Sequence, residues 1–164
     1  MKLIKNIFPI IAVLMAILLL SACGDKQTGP TDVKWDRDAC DRCQMMLSDR
    51  KFSAQIRVFP EGKRSKVFRF DDIGCATLWL DSQQKKGKLW QSDEKTQIWV
   101  TDFKSGAWIE AKTAWYVKDQ ISPMNYGLGA VLSKQTNALD FEQAKKHIQE
   151  VEKKLNIHGG NFTH

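Results

Sequence analysis

The sequence predicts an α+β fold built from two small ββαβ units behind a cleaved export signal. Three observations carry this. Two stretches of alternating apolar residues flank a turn and lead into a segment of helical periodicity. A looser version of that order follows in the second half and includes a long amphipathic helix. The chain also opens on a short apolar run bounded by positive charge and by small residues.

The first unit is the clearer. Phe52–Phe59 alternates as a strand, Pro60-Glu61-Gly62 is a turn signal, and Lys66–Phe70 alternates again, which predicts a hairpin. Asp71-Asp72 then opens a helix with Asp72 as N-cap. Ile73, Ala76, Thr77 and Leu80 fall at helical spacing, and Gly87 lies past the end. Gln97–Thr101 is a third strand, completing the unit over residues 35–104. In the second unit, 105–164, Trp108-Ile109 and Ala114–Val117 are strand-like, and Tyr126–Leu132 is a weaker strand carrying two glycines. Phe141–Leu155 is a helix with Asp140 as N-cap and an apolar face of Phe141, Ala144, Ile148, Val151 and Leu155. The tail HGGNFTH is short for a closing strand. Six tryptophans in 164 residues predict mostly aromatic core anchors.

The first 22 residues read as an address. Lys2 and Lys5 precede the apolar run Ile7–Leu20, too short for the roughly 20 residues of a comfortable membrane span. The ending Leu20-Ser21-Ala22-Cys23 resembles a bacterial lipobox, in which Cys23 is acylated and becomes the first mature residue. Stable anchoring takes more than one acyl chain. Gly24 follows, where Asp would signal retention in the inner membrane. The expectation is therefore a lipid anchor facing the periplasm, on the outer membrane in a Gram-negative host. Residues 23–34, polar with Gly and Pro, read as a flexible tether. The net charge is +6, two units of it from Lys2 and Lys5. The charge is spread along the chain without a basic arm or aromatic–basic alternation, which argues against nucleic-acid binding.

The chemistry concentrates in Cys40-Asp-Arg-Cys43-Gln-Met45-Met46, four sulfur side chains within seven positions. With Cys23 consumed by lipid, the mature thiols are Cys40, Cys43 and Cys75. A CxxC outside the cytosol is open to several readings: a plain disulfide, a redox pair, half a zinc site, or a soft-metal site. A redox pair is expected between a strand and a helix, and this one precedes the first strand. A finger-type zinc site lacks its second pair, since the histidines lie late, at 147, 158 and 164. A thioether suits soft Cu(I) and is a poor zinc ligand. Cys43 and Met45 are two apart, on one face of an extended chain. A third ligand is then needed, and Met124 stands in the turn-like Ser122-Pro-Met-Asn-Tyr-Gly127 with no apolar periodicity to account for it. The competing reading makes the methionines core fillers. Cys75 reads as a small buried hydrophobe at a helix start, with Asp71 and Asp72 capping and turning. A reactive thiol is the other reading of Cys75.

The chain resembles the NosL family, copper-binding lipoproteins associated with maturation of nitrous oxide reductase. The resemblance runs roughly from Cys40 to Gly129. Its blocks are Cys40-x-x-Cys43-x-Met45, Phe68-x-Phe-Asp-Asp-Ile-Gly-Cys75, Trp99-Val-Thr-Asp102, Gly106-x-Trp-Ile-x-Ala111, Ala114-x-Tyr-Val117 and Ser122-Pro-Met124. It implies a pair of ββαβ units related to the organomercurial lyase. It also implies a periplasmic Cu(I) chaperone, not an enzyme, that delivers Cu(I) to nitrous oxide reductase or another periplasmic copper acceptor. Carried over residue by residue, Cys43 supplies a thiolate, Met45 a thioether, and Met124 the distant soft ligand. Cys40 is an assisting ligand or an oxidisable neighbour. Gln44 stands where family members commonly have Gly, and the resemblance is poor after Leu132. Two alternatives are an extracytoplasmic thiol–disulfide oxidoreductase or lyase-like enzyme using Cys40, Cys43 or Cys75, and a structural lipoprotein whose CxxC is a disulfide.

Overall fold

Strand β1 (Ala54–Val58) and strand β2 (Lys66–Phe70) form the hairpin that the alternation predicts, with Ile56 opposite Phe68. The structure, a computed structural model, describes residues 28–155. The signal segment, the Cys23 lipidation position, His158 and His164 lie outside the described residues. The fold is α+β. Helix α1 (Ile73–Lys85) follows β2, and a 3₁₀ turn (Leu89–Gln91) leads to β3 (Gln97–Thr101). Strands β4 (Trp108–Glu110), β5 (Trp115–Val117) and β6 (Gly129–Val131) precede helix α2 (Phe141–Leu155).

The bounds of β2, β3 and α2 coincide with their sequence patterns. The first strand is shorter than the alternating stretch Phe52–Phe59. The stretch Tyr126–Leu132 narrows to β6, since Asn125 (φ 61°) and Gly127 (φ 72°) turn the backbone left-handed just before it.

The four strands of the main sheet are antiparallel in the order β2-β1-β3-β4, so β4, expected to open the second unit, is hydrogen-bonded into the first sheet. Strands β5 and β6 form a separate two-stranded sheet, and Tyr116 of β5 also bridges to Leu139. The two sheets meet at Asp102. Its residue bridges to Ala130, and the Phe103 amide donates to the Ala130 carbonyl at 2.9 Å.

One face of the sheet (Ala54, Ile56, Val58, Phe68, Phe70, Ile98, Val100) is buried with Ala76, Trp79 and Leu80 of α1 and with Phe141, Ala144 and Ile148 of α2. Both predicted N-caps form. The Asp72 carboxylate accepts the Cys75 amide at 2.9 Å. Asp140 and Gln143 exchange two bonds, at 2.8 and 3.0 Å, the reciprocal arrangement of a capping box.

Two expectations change. Only Trp79 of the six tryptophans is buried. Trp99 and Trp108 project from the sheet's outer face, as the odd register of β3 and its pairing with β4 require. Within the expected tether, residues 29–32 are pinned across that outer face. Gln97 accepts the Gly29 amide (2.8 Å), Arg57 donates to the Gly29 carbonyl (2.9 Å), and Gln55 both accepts from and donates to the Thr31 backbone (2.8 Å each). Gln55 and Arg57 are buried by this strap, which satisfies polar groups that a bare sheet face leaves to water.

Asp102 organises the β3–β4 turn. Burial opposes its charge. Acceptance from the Ser105 amide and hydroxyl, the Leu132 amide and the Lys104 amide outweighs that and holds its carboxyl below the usual range. Asp102→Ala leaves these donors unpaired and should cost about 2–3 kcal/mol in denaturant unfolding near neutral pH. A depressed carboxyl contributes stability above its unfolded pKa of about 3.9 and loses it as pH falls through the folded value. The gap between wild type and variant should therefore narrow in acid.

Candidate metal centre

The segment before β1 folds back on itself and lays the CxxC against the start of α1. Ala39 bridges to Met46, the Cys40 amide donates to the Met45 carbonyl (2.8 Å), and the Leu47 amide donates to the Asp38 carbonyl (2.9 Å). Gln44 closes the turn with φ 64°, and its amide and side chain both donate to the Cys40 carbonyl (3.0 and 3.2 Å). The conformation is one that glycine adopts freely and other residues enter at a cost of about 1–2 kcal/mol. The turn is thus kept despite the departure at Gln44, and the two side-chain and main-chain bonds offset part of that cost. The Asp41 carboxylate and carbonyl-side partner Arg69 tie the loop to β2: the Asp41 amide donates to the Arg69 carbonyl (2.8 Å) and the Arg69 amide to Asp41 (2.7 Å).

This brings three thiols together. The Sγ atoms of Cys40, Cys43 and Cys75 all lie within 4.8 Å of one another. Cys40 and Cys75 are buried, Cys43 is half-buried, and all three are free thiols. Sulfurs bonded at about 2.3 Å to one central ion in a trigonal plane sit about 4 Å apart. Small rotations of the three side chains therefore close the cluster on an ion.

Cys75 is the ligand candidate that sequence reasoning set aside. It is buried, as expected, but its sulfur faces the other two. The available signal was its membership in the Phe68–Cys75 block beside a third unassigned mature thiol. Its place is set by Asp72, whose second carboxylate oxygen accepts the Met124 amide at 3.2 Å. Met124 is thereby held next to the helix start through its backbone, 9% exposed. Met45 is 46% exposed and Met46 60% exposed at the outer edge of the CxxC turn. Of the four sequence-derived candidates, Cys40 and Cys43 are in the thiol cluster, Met124 is buried with its amide bonded to Asp72, and Met45 is exposed.

The electrostatics are those of one shared charge. Hydrogen bonds from the Cys43 and Cys75 thiols stabilise a Cys40 thiolate and carry its pKa down to about 2. Donation to Cys40 pushes Cys43 up to about 12, and Cys75 is raised by donation to Cys40 and Cys43 and by burial. The three protons leave as a coupled set, the first easily and the others with difficulty. The Asp71 carboxylate lies 3.0 Å from the Cys43 Sγ and is a second acceptor that competes with Cys40 for the single Cys43 proton. Burial pushes Asp71 up to about 6 and Asp72 likewise to about 6. A carboxylate beside the cysteines was the less favoured reading of the sequence, where the aspartates read chiefly as cap and turn residues and a reactive thiol with a nearby Asp was the alternative that the lyase relation suggests.

The NosL family model matches residues 32–151. The chain belongs to the NosL family. That family is one of copper-binding proteins, and the three-cysteine cluster lies inside the matched region and fits a metal ion. Comparison with curated proteins and with solved structures finds no significant match.

The shared charge is directly measurable. At about pH 6, where an ordinary thiol of pKa about 8.5 is protonated, the ultraviolet thiolate absorption of the metal-free protein should correspond to about one thiolate per chain. Replacing both Cys43 and Cys75 with alanine should remove that absorption, because Cys40 then loses its two donors.

Proposed function

We propose that this member of the NosL family is a membrane-anchored, periplasmic carrier of Cu(I) that delivers the ion for assembly of the copper centres of nitrous oxide reductase. The single observation behind the reading is the cluster of three thiol sulfurs within 4.8 Å. Thiolate donors select soft, low-valent ions, and three of them at trigonal spacing suit Cu(I). The location and the acceptor are proposed from the lipobox at Cys23 and from the family resemblance.

The arrangement suits a carrier better than a permanent site. Cys40 and Cys75 are closed off from water, whereas Cys43 is half-buried and Met45 and Met46 stand exposed beside it. Cys43 is the most exposed of the three, so an ion held by the thiolates is approached past it. Exposed thioethers there offer weak, exchangeable ligands along that path. Met124, anchored by its backbone to Asp72, offers a further soft donor on the loop that packs at the start of α1. Thiols this close outside the cytosol are prone to oxidation, and a disulfide abolishes the site. The functional state is the reduced one.

One observation favours a second reading, a thiol enzyme of the oxidoreductase or lyase type. Asp71 is placed to take the Cys43 proton. In the carrier the same carboxylate receives that proton's hydrogen bond until metal displaces it.

A competition titration with a Cu(I) chelator separates the two. The carrier reading expects one Cu(I) per chain, at least about tenfold weaker binding in both Cys43→Ser and Cys75→Ser, since each removes one of three thiolates, and a smaller loss in Met124→Leu. Unchanged Cu(I) affinity in Cys43→Ser contradicts it. Cys40-dependent turnover in a thiol–disulfide exchange assay supports the enzyme.

A further inference from the structure

Arg42 lies between the two cysteines of the CxxC, where a long cation is expected to extend into solvent. It does not. Its side chain is 16% exposed. The guanidinium Nη1 sits 4.0 Å from the Cys75 Sγ and donates to the Tyr126 hydroxyl at 3.3 Å. Nη2 donates to Glu152 Oε1 at 2.7 Å. The Tyr126 hydroxyl in turn donates to the other Glu152 oxygen at 2.6 Å. Glu152 belongs to α2, 110 positions away in sequence.

The Tyr126 ring is itself seated firmly. It packs on Gly74, where a Cβ would overlap the ring. The His147 Nε2 lies 3.0 Å from the Tyr126 carbonyl and fixes its backbone to α2. A helix, a loop and a glycine cradle thus converge to hold one positive charge against one sulfur of the cluster. A surface ion pair contributes little to stability, but the Arg42 and Glu152 side chains are only 16% and 21% exposed. A planar guanidinium held by a carboxylate and a phenol is, by contrast, a fixed charge that costs no reorganisation when its neighbour becomes anionic.

We propose that Arg42 is a positioning residue of the metal site, whose guanidinium, held by Glu152 and Tyr126, compensates the negative charge of the metal–thiolate cluster and favours a monovalent ion. The inference rests on the reading of Cys40, Cys43 and Cys75 as the metal ligands. Three thiolates around Cu(I) carry a charge of −2, and around a divalent soft ion −1. If one sulfur keeps its proton, each figure is one unit less negative. In either count the monovalent complex is the more anionic by one charge. Removing a cation a few ångströms away therefore weakens it more than it weakens the divalent complex. A residue that only holds the fold affects both ions equally.

The test uses the full chain carrying Cys23→Ser, so that the three cluster thiols are the ones read, with Arg42→Met and Arg42→Lys added separately. Cu(I) affinity is measured by chelator competition and Cd(II) affinity by sulfur-to-metal charge-transfer absorption. Arg42→Met is expected to bind Cu(I) about tenfold or more weaker, with a Cd(II) loss at least about threefold smaller, and Arg42→Lys to recover most of the Cu(I) loss. Equal losses for the two ions, or none, overturn the proposal and leave the metal site standing. If the parent chain binds neither ion, the site reading and this proposal fall together. Should Arg42→Met not fold, Glu152→Gln keeps the cation but loosens its hold. It should lower the ratio of Cu(I) to Cd(II) affinity, and an unchanged ratio overturns the proposal.

Discussion

The Asp72 carboxylate is the constraint on which the rest of the site depends. One oxygen caps α1 at the Cys75 amide, and the other takes the Met124 amide from a loop 52 positions later. A cap bond is ordinarily worth about 1 kcal/mol to a helix. Here it also orients the first turn of α1 so that Cys75 faces the CxxC, and it clamps the Met124 loop over that turn. Tyr126, two residues on, then falls on Gly74 and reaches Glu152 and Arg42. A single buried carboxylate thus joins the helix that bears one thiol, the loop that bears a thioether, and the network that places a cation.

The sheet supplies the floor for this arrangement. The β1–β2 hairpin carries Asp71 and Asp72 straight off the end of β2, so the register of the hairpin fixes where the cap lands. The CxxC loop is stitched to β2 through Asp41 and Arg69. Both halves of the thiol cluster therefore hang from one strand. On the opposite face, away from α1, Gln55, Arg57 and Gln97 tie down residues 29–31.

Local periodicity was legible in the sequence, and long-range juxtaposition was not. The bounds of β2, β3 and α2 follow from apolar spacings of two and 3.6, which a single segment displays by itself. The placement of β4 in the first sheet depends on which strand edge is free, and three residues carry no mark of that. Asp72 and Asp140 were readable as caps because a cap is a local motif. The Cys40 and Cys43 pair was readable because the two are adjacent. Cys75 was not, since a thiol on the buried face of a helix has the same pattern whether it fills space or faces two other sulfurs. Asp71 and Arg42 acquire their roles only from partners far along the chain. The pinned residues 29–32 were hidden for a related reason: their Gly and Pro-rich composition reads as free tether, while the groups that hold them are side chains of three separate strands, Gln55 and Arg57 of β1, Arg69 of β2 and Gln97 of β3.

The central claim is that the three clustered thiols, Cys75 included, form the metal site. X-ray absorption at the copper edge of the Cu(I)-loaded protein tests it most directly, with Cys75→Ser alongside the unsubstituted chain. The account predicts a three-coordinate, sulfur-only shell at about 2.3 Å, changed in coordination number or ligand type by Cys75→Ser. A spectrum that is unaltered by Cys75→Ser, or one that contains a nitrogen shell, would contradict it.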